Sequence, residues 1–252
     1  MDAISDAHTK QPSLAGRSVM VTGGTLGIGR AIARLLAADG AKLFIFSRDG
    51  GNVNDGLAAI REVGGDPEGM VADVAKAEDV DKVFAAARTK FDRLDVLIVN
   101  AGISGEGVAD MANEDWRYVI DTNLVGAMAS AREALLWMAE RKKGHIVIIG
   151  SMSAEREGKG SSVYVAGKSG LRGFAESFHK EAREKGVKVT LIEPGQVGSN
   201  MQEASPREQR REIKKGTMLR AEDVAVAVHY VLTQPERCDV TFMQIRPHVE
   251  EE

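Results

Sequence analysis

Short apolar runs recur along the chain, and each is followed by a longer stretch in which apolar residues return every three or four positions. The runs fall at 17–22, 42–47, 95–100, 144–149 and 187–192, with less continuous ones ending near Asp73 and covering 239–245. Runs without polar alternation suit strands buried on both faces. The periodicity between them predicts helices over 27–38, 53–63, 78–90, 113–141, 162–185 and 221–232. In the first helix Ile28, Ile32, Leu35 and Leu36 share a face and Gly40 ends the pattern; in the second Gly56 is a weak point. No repeat or linker divides the sequence. Strand–helix alternation of this kind predicts an α/β fold over residues 14–252, a doubly wound parallel sheet with helices on both sides. Such sheets bind ligands beyond the carboxyl ends of their strands. Thr22, Ser47, Asp73, Asn100, Ser151 and Pro194 lie at or just past those ends, so six segments point to one crevice.

Composition narrows the classes. The 252 residues carry a formal net charge of −4, which argues against a nucleic-acid partner, since such proteins usually carry a basic excess. No apolar run approaches the roughly 20 residues of a membrane span. Residues 1–13 lack the basic start and apolar stretch of a signal peptide and read as a flexible arm. Cys238 is the single cysteine and has no disulfide partner, which fits a reducing cytoplasm; it reads as a small buried or half-buried side chain.

Two motifs carry chemistry. Gly23, Gly27 and Gly29 fall between the first strand and the first helix, in Thr22-Gly-Gly-Thr-Leu-Gly-Ile-Gly29. A dinucleotide site needs a tight turn there, close backbone approach to pyrophosphate and close helix–strand packing. The helix N-terminus adds free N–H groups and partial positive charge. A plain strand–helix turn is the bland alternative. Tyr164 and Lys168, four apart on a predicted helix, share one face. An ammonium there stabilises a phenolate, as acid–base work by a tyrosine near neutral pH requires. Many such pairs elsewhere are surface contacts. Ser151 ends the fifth strand, thirteen residues before Tyr164, with Ser153 as a rival hydroxyl.

Together these residues resemble the short-chain dehydrogenase/reductase family. The resemblance spans about 14–246 and rests on Thr22–Gly29, Asp73-Val74, Asn100-Ala101-Gly102, Asn123, Ser151, Tyr164, Lys168 and Pro194-Gly195-x-Val197. It implies one Rossmann-type domain, a seven-stranded sheet of order 3-2-1-4-5-6-7, and NAD or NADP as cofactor. It makes Asn123, Ser151, Tyr164 and Lys168 the catalytic set. Tyr164 exchanges the proton, Ser151 holds the substrate oxygen, Lys168 also meets the nicotinamide ribose, and Asn123 bends a helix and anchors a proton relay. The cofactor would lie along Gly23, Thr25, Leu26, Gly27, Ile28 and Gly29, then Ser47, Arg48, Asp73, Val74, Asn100, Ala101, Gly102, Pro194, Gly195 and Val197. An acidic residue after the second strand would favour NAD; Ser47-Arg48 stands there instead, and a guanidinium suits a phosphate, so NADP is favoured with NAD possible. Asp49 is placed to compete for Arg48. A solvated surface arginine is the bland reading of Arg48, an exposed turn residue that of Asp73, and a mid-helix polar residue that of Asn123.

The segment around 196–216 corresponds to the family's substrate lid. Its charged stretch 205–215 reads as a solvated helix face or a basic recognition surface. Glu155-Arg-Glu157 would favour a polar substrate, on a rim shared with 102–107 and Met201. The ending Thr241-Phe-Met-Gln-Ile-Arg-Pro247 is similar to members acting on 3-hydroxy acids, serine-like substrates and varied carbonyls. The family associates through two long helices, here 113–141 and 162–185, which implies a homotetramer or homodimer. The expected partner is otherwise a small carbonyl or alcohol, and the expected activity a reversible hydride transfer. A non-catalytic dinucleotide sensor would have lost Tyr164 or Lys168, and an extended-type epimerase would carry a different glycine spacing. His145 and His179 form no cluster with ligand spacing, so no metal is expected.

Overall fold

The computed structural model describes residues 11–155, 159–199, 201 and 204–249. Residues 1–10 of the expected arm, Arg156 and Glu157 of the acidic rim, and Asn200, Gln202 and Glu203 of the lid lie outside them. Seven strands, β1 (Ser18–Thr22), β2 (Lys42–Ser47), β3 (Glu68–Val71), β4 (Val96–Val99), β5 (Gly144–Ile149), β6 (Val187–Pro194) and β7 (Phe242–Ile245), form one sheet of order 3-2-1-4-5-6-7. Every pairing is parallel. Eight α-helices accompany it among the described residues: α1 (Gly27–Ala38), α2 (Gly50–Arg61), α3 (Ala77–Lys90), α4 (Asn113–Ile120), α5 (Gly126–Ala139), α6 (Ser162–Glu184), α7 (Pro206–Lys215) and α8 (Ala221–Leu232).

The period of two sends successive strand residues to opposite faces. Val19, Val21, Ile45, Ile98 and Ile149 meet α1 and α8, where Ile32, Leu36, Val224 and Val228 are buried. Met20, Phe44, Phe46, Leu97 and Ile148 meet α3, α5 and α6 through Phe84, Ala131, Leu171 and Phe178. The central strands are therefore mostly apolar, because both faces are covered, with His145, Thr190 and Glu193 among the buried polar exceptions. The edge strands are less covered: β3 and β7 are short and partly exposed, with Val71 and Phe242 in solvent.

Four sequence expectations need correction. First, the helix over 113–141 is broken. A π-helical segment, Asp121–Val125, separates α4 from α5, and Gly126 N–H reaches back to the Asp121 carbonyl. Its cause is a long-range contact described below. Second, α2 starts three residues before the expected 53, because the Asp49 carboxylate accepts from Asn52 N–H at 2.7 Å and caps it. Asp49 is thus committed to a helix end and makes no bond to Arg48. Gly56 in that helix is a packing requirement, since a Cβ there would sit 3.0 Å from both Ile45 Cδ1 and Thr25 Cα. Third, Cys238 is exposed, in the turn between α8 and β7, where its carbonyl accepts from Lys188 Nζ. Fourth, Glu155 does not line the crevice: Gln244 Nε2 donates to it at 2.7 Å. The 205–215 stretch is a helix with no buried residue, started by a Ser205–Glu208 capping box.

Candidate active site

The carboxyl ends of the strands open into a cleft of about 490 Å³. The glycine turn forms its floor. Gly27 has φ +49°, a left-handed conformation, and only Ser199 Cβ comes within 4 Å of where its own Cβ would be, at 3.5 Å. The backbone is therefore bare towards the cleft. Gly29 has a different job. A Cβ there would lie 2.2 Å from the Gly23 carbonyl and 2.5 Å from Asn100 Nδ2, so only glycine lets α1 close on β1 and β4. The α1 N-cap, Leu26, contributes no side-chain hydrogen bond, and the first turn holds no acid. Its first N–H groups remain available to an anion. Thr22 and Asn100 brace the turn. Thr22 Oγ1 accepts from Asn100 and Ala101 N–H, both at 2.9 Å, while Asn100 Nδ2 donates to the Thr22 and Gly23 carbonyls at 3.1 and 3.2 Å.

At one end of the cleft, beyond β2 and β3, stand Ser47, Arg48, Asp73 and Val74. Asp73 is held at both carboxylate oxygens: Oδ1 accepts from Ala75 N–H at 3.0 Å and Oδ2 from the Tyr118 hydroxyl at 2.8 Å. Its own N–H donates to Asp79 Oδ2 at 3.1 Å, a bond that holds the Asp79 carboxyl below its usual range, with help from Lys82. Arg48 Nη1 donates to the same Tyr118 hydroxyl at 2.9 Å, and the guanidinium lies 5.5 Å from that ring's centre. Val74 abuts α5, where Gly126 leaves no room for a side chain against the Val74 carbonyl.

Towards the other end lie Ser151, Tyr164 and Lys168. Ser151 follows β5, and its Oγ accepts from Ser153 N–H at 3.1 Å, which leaves its own proton to donate. Ser153 does not line the cleft. Lys168 is buried, with 5% of its surface exposed, and Nζ donates to the Ile149 carbonyl at 3.1 Å. Its ammonium is 5.9 Å from the Tyr164 ring centre. The start of α6 is tied to the 103–110 loop, where Val163 N–H donates to Glu106 and Val108 N–H to Ser162 Oγ, both at 3.1 Å. Asn123, 1% exposed, grips the same loop: Oδ1 accepts from Ile103 N–H and Nδ2 donates to the Ile103 carbonyl, both at 2.8 Å. These bonds hold the π-helical segment against the loop. The Asn123 amide also lies 3.3 Å from where a Cβ on Gly102 would stand, with Lys168 Nζ at 3.7 Å from that point.

The cleft thus collects Gly23, Thr25, Leu26, Gly27, Ile28, Ser47, Arg48, Asp73, Val74, Asn100, Ala101, Gly102, Ser151, Tyr164, Lys168, Pro194, Gly195 and Val197. Two expected site residues, Gly29 and Asn123, do not line it and act from behind. Ser104 and Ser199, from the expected rim and lid, also line it, whereas sequence reading missed Asn52, Tyr118 and Thr122. No local pattern marks Tyr118, since its partners are 45 and 70 residues away. The histidines do other work. His145 is buried and bonded to Thr190 Oγ1 at 2.8 Å, and His179 pairs with Asp239 at 3.2 Å. Among the described residues no group of three or more His, Cys, Asp or Glu could hold a metal.

The model of the short chain dehydrogenase family matches residues 17–210. The chain belongs to the short-chain dehydrogenase family. Among relatives of this short-chain dehydrogenase is a 3-oxoacyl-(acyl-carrier-protein) reductase of Bos taurus, 36% identical over 85% of this chain and 90% of that one. An uncharacterized oxidoreductase of Staphylococcus aureus is 33% identical over 93% and 98%. Two crystal structures share the fold closely. Actinorhodin polyketide ketoreductase with NADPH gives a TM-score of 0.84 at 28% identity, over 94% of this chain and 98% of that one. A metagenomic short-chain oxidoreductase in complex with NADP gives 0.81 at 28% identity, over 94% and 100%. The enzyme is an oxidoreductase of this family.

Proposed function

We propose that this oxidoreductase transfers hydride reversibly between NADP(H) and a carbonyl or secondary alcohol, with Tyr164 as the acid and base. The observation that carries the reading is convergence: Ser151, Tyr164 and Lys168, from two separate elements, meet in the cleft floored by the glycine turn. The residues fit a nicotinamide dinucleotide. The bare Gly27 backbone and the uncapped α1 N-terminus suit its pyrophosphate. Asp73 suits the adenine amino group, and Arg48, after β2, suits a 2′-phosphate. The solved relatives holding NADPH or NADP support the same choice. When bound, the nicotinamide supplies or takes up the hydride. In reduction the Tyr164 hydroxyl gives its proton to the carbonyl oxygen as the carbon gains hydride; in oxidation it takes that proton back. Ser151 donates a hydrogen bond to the same oxygen and stabilises negative charge as it develops. Lys168 supplies positive charge beside the phenol, and Asn123 fixes the 102–103 backbone that borders it.

The chemistry belongs to the 14–252 domain, with the 196–216 segment serving the substrate side. The enzyme works in the cytoplasm as a homodimer or homotetramer. Val125, Met128 and Leu136, exposed on one face of the α5 region, support association there. The test is to follow NADPH absorbance with a panel of carbonyls, then repeat the best with Tyr164→Phe. Turnover should drop by about 10²-fold or more, the scale of general acid catalysis, with NADPH binding within a few-fold of the parent. Near-parental turnover would remove Tyr164 from its role.

A further inference from the structure

Tyr118 spends both functions of one hydroxyl on two residues that the proposed function assigns to cofactor recognition. It donates to Asp73 Oδ2 at 2.8 Å and accepts from Arg48 Nη1 at 2.9 Å. The three residues come from different parts of the fold: the end of β2, the turn after β3, and α4. We propose that Tyr118 is a positioning residue for cofactor selectivity, which holds the Arg48 guanidinium where a 2′-phosphate would arrive and links it to the adenine-reading carboxylate. The inference rests on the NADP reading given above.

Arg48 is exposed and its side chain is long, so ordering it costs rotamer entropy. Among the described contacts its partner is Tyr118, through one N–H and the ring face. That leaves guanidinium donors for a phosphate. Asp73 is pinned by Ala75 N–H and by Asp79 through its backbone, so the phenol is anchored at a fixed point. A hydroxyl donating to a carboxylate is a better acceptor in turn, which strengthens its hold on the guanidinium. Preorganisation of this kind is felt in affinity for the ligand that uses the held group.

Two fragments separate the terms without catalysis: adenosine 2′,5′-bisphosphate and AMP, which differ by the 2′-phosphate. Their ratio of Kd values, by calorimetry, measures discrimination in the parent, Arg48→Ala, Tyr118→Phe and the double variant. Phenylalanine keeps the ring and its packing, and thermal melts check the fold. Arg48→Ala should bring the ratio close to one. Tyr118→Phe should lower it about tenfold, or about 1.4 kcal/mol. The double variant should lose nothing beyond Arg48→Ala, because the hydroxyl acts through the arginine. If Arg48→Ala collapses the ratio while Tyr118→Phe leaves it within twofold or raises it, Tyr118 is no positioning residue and the NADP reading stands. A further fall in the double variant would likewise overturn action through Arg48. An unchanged ratio in Arg48→Ala overturns the 2′-phosphate reading and this one with it.

Discussion

Replacing Lys168 with methionine removes one charge and little volume, so it isolates what the ammonium contributes. In the structure that charge lies 5.9 Å from the Tyr164 ring centre. Coulomb's law at an effective dielectric of about 20 gives roughly 3 kcal/mol between unit charges at that separation. If the interaction is felt mainly as negative charge develops on the phenol, the loss in kcat is about two orders of magnitude. A second cost must be separated from it. Lys168 is 5% exposed and bonds the Ile149 carbonyl at 3.1 Å, so methionine leaves a buried acceptor without that donor. That costs stability by about 1–3 kcal/mol. The assay is therefore kcat at saturating NADPH and carbonyl, well below the melting point of each variant, with Lys168→Arg alongside. Arginine keeps the charge, although its planar fork fits the site less well. Methionine should fall about a hundredfold and arginine markedly less. Equal losses in both would mean geometry, not charge, is what Lys168 supplies. A kcat for Lys168→Met within threefold of the parent would refute the electrostatic argument.

Two other outcomes follow from the same geometry. Ser151→Ala should lower kcat by about two to three orders of magnitude, the scale of losing one oxyanion donor, while Ser153→Ala costs far less, because Ser153 reaches Ser151 through a backbone N–H that alanine keeps; steady-state rates rank them, and a reversed order would make Ser153 the working hydroxyl. Burial, aided by Lys188 and Arg17, pushes the His145 ring down to about 3, so the native state stays neutral where the unfolded chain takes a proton near 6.5. The unfolded state binds more protons below that point, and stability should decline as pH falls from 6.5, by at most about 1.4 kcal/mol per pH unit from this group. Urea midpoints between pH 8 and 4.5 measure it against His145→Gln; parallel curves for the two proteins would contradict the assignment.

The parts of the fold that were legible are those where one demand acts on neighbouring residues. Val19, Met20 and Val21 are all apolar because successive positions face different helices and both faces are covered. The sequence reads as a buried strand for that reason, although it does not say which helix lies on which side. The glycine turn is legible for a similar reason. Gly29 cannot carry a side chain against the Gly23 carbonyl only six residues earlier. Lys168 and Tyr164 share a face because one helical turn puts them there. The break at Asp121–Val125 had no such local mark, since helical periodicity continues through it and its cause is the Asn123 amide on the Ile103 backbone, 20 residues away. The resemblance supplied that bend; the pattern did not.

Charged residues show the limit most sharply, because their meaning depends on what desolvates them. Arg48, Asp49, Glu155 and Glu193 are each charged residues near the end of a strand or turn, and the sequence alone does not give their partners. In the folded chain they diverge. Asp49 caps a helix and Arg48 leans on a phenol 70 residues away. Glu155 accepts from the Gln244 amide at 2.7 Å. Glu193 is fully buried between β7 and α6, with neither oxygen hydrogen-bonded among the described residues and Arg172 at 3.7 Å. Burial raises its carboxyl above the ordinary range, with Glu155 and Glu176 adding to the rise, against the pull of Arg172 and of the neighbouring Gln244 amide. Nothing in the run Leu191-Ile-Glu-Pro194 distinguishes such a residue from a solvated strand end. What distinguishes it is the pairing of Glu193 with Gln244 across β6 and β7 and the packing of Arg172 above them. A strand-end charge becomes informative about function only when its partner is known, and in this fold those partners arrive from other strands and helices.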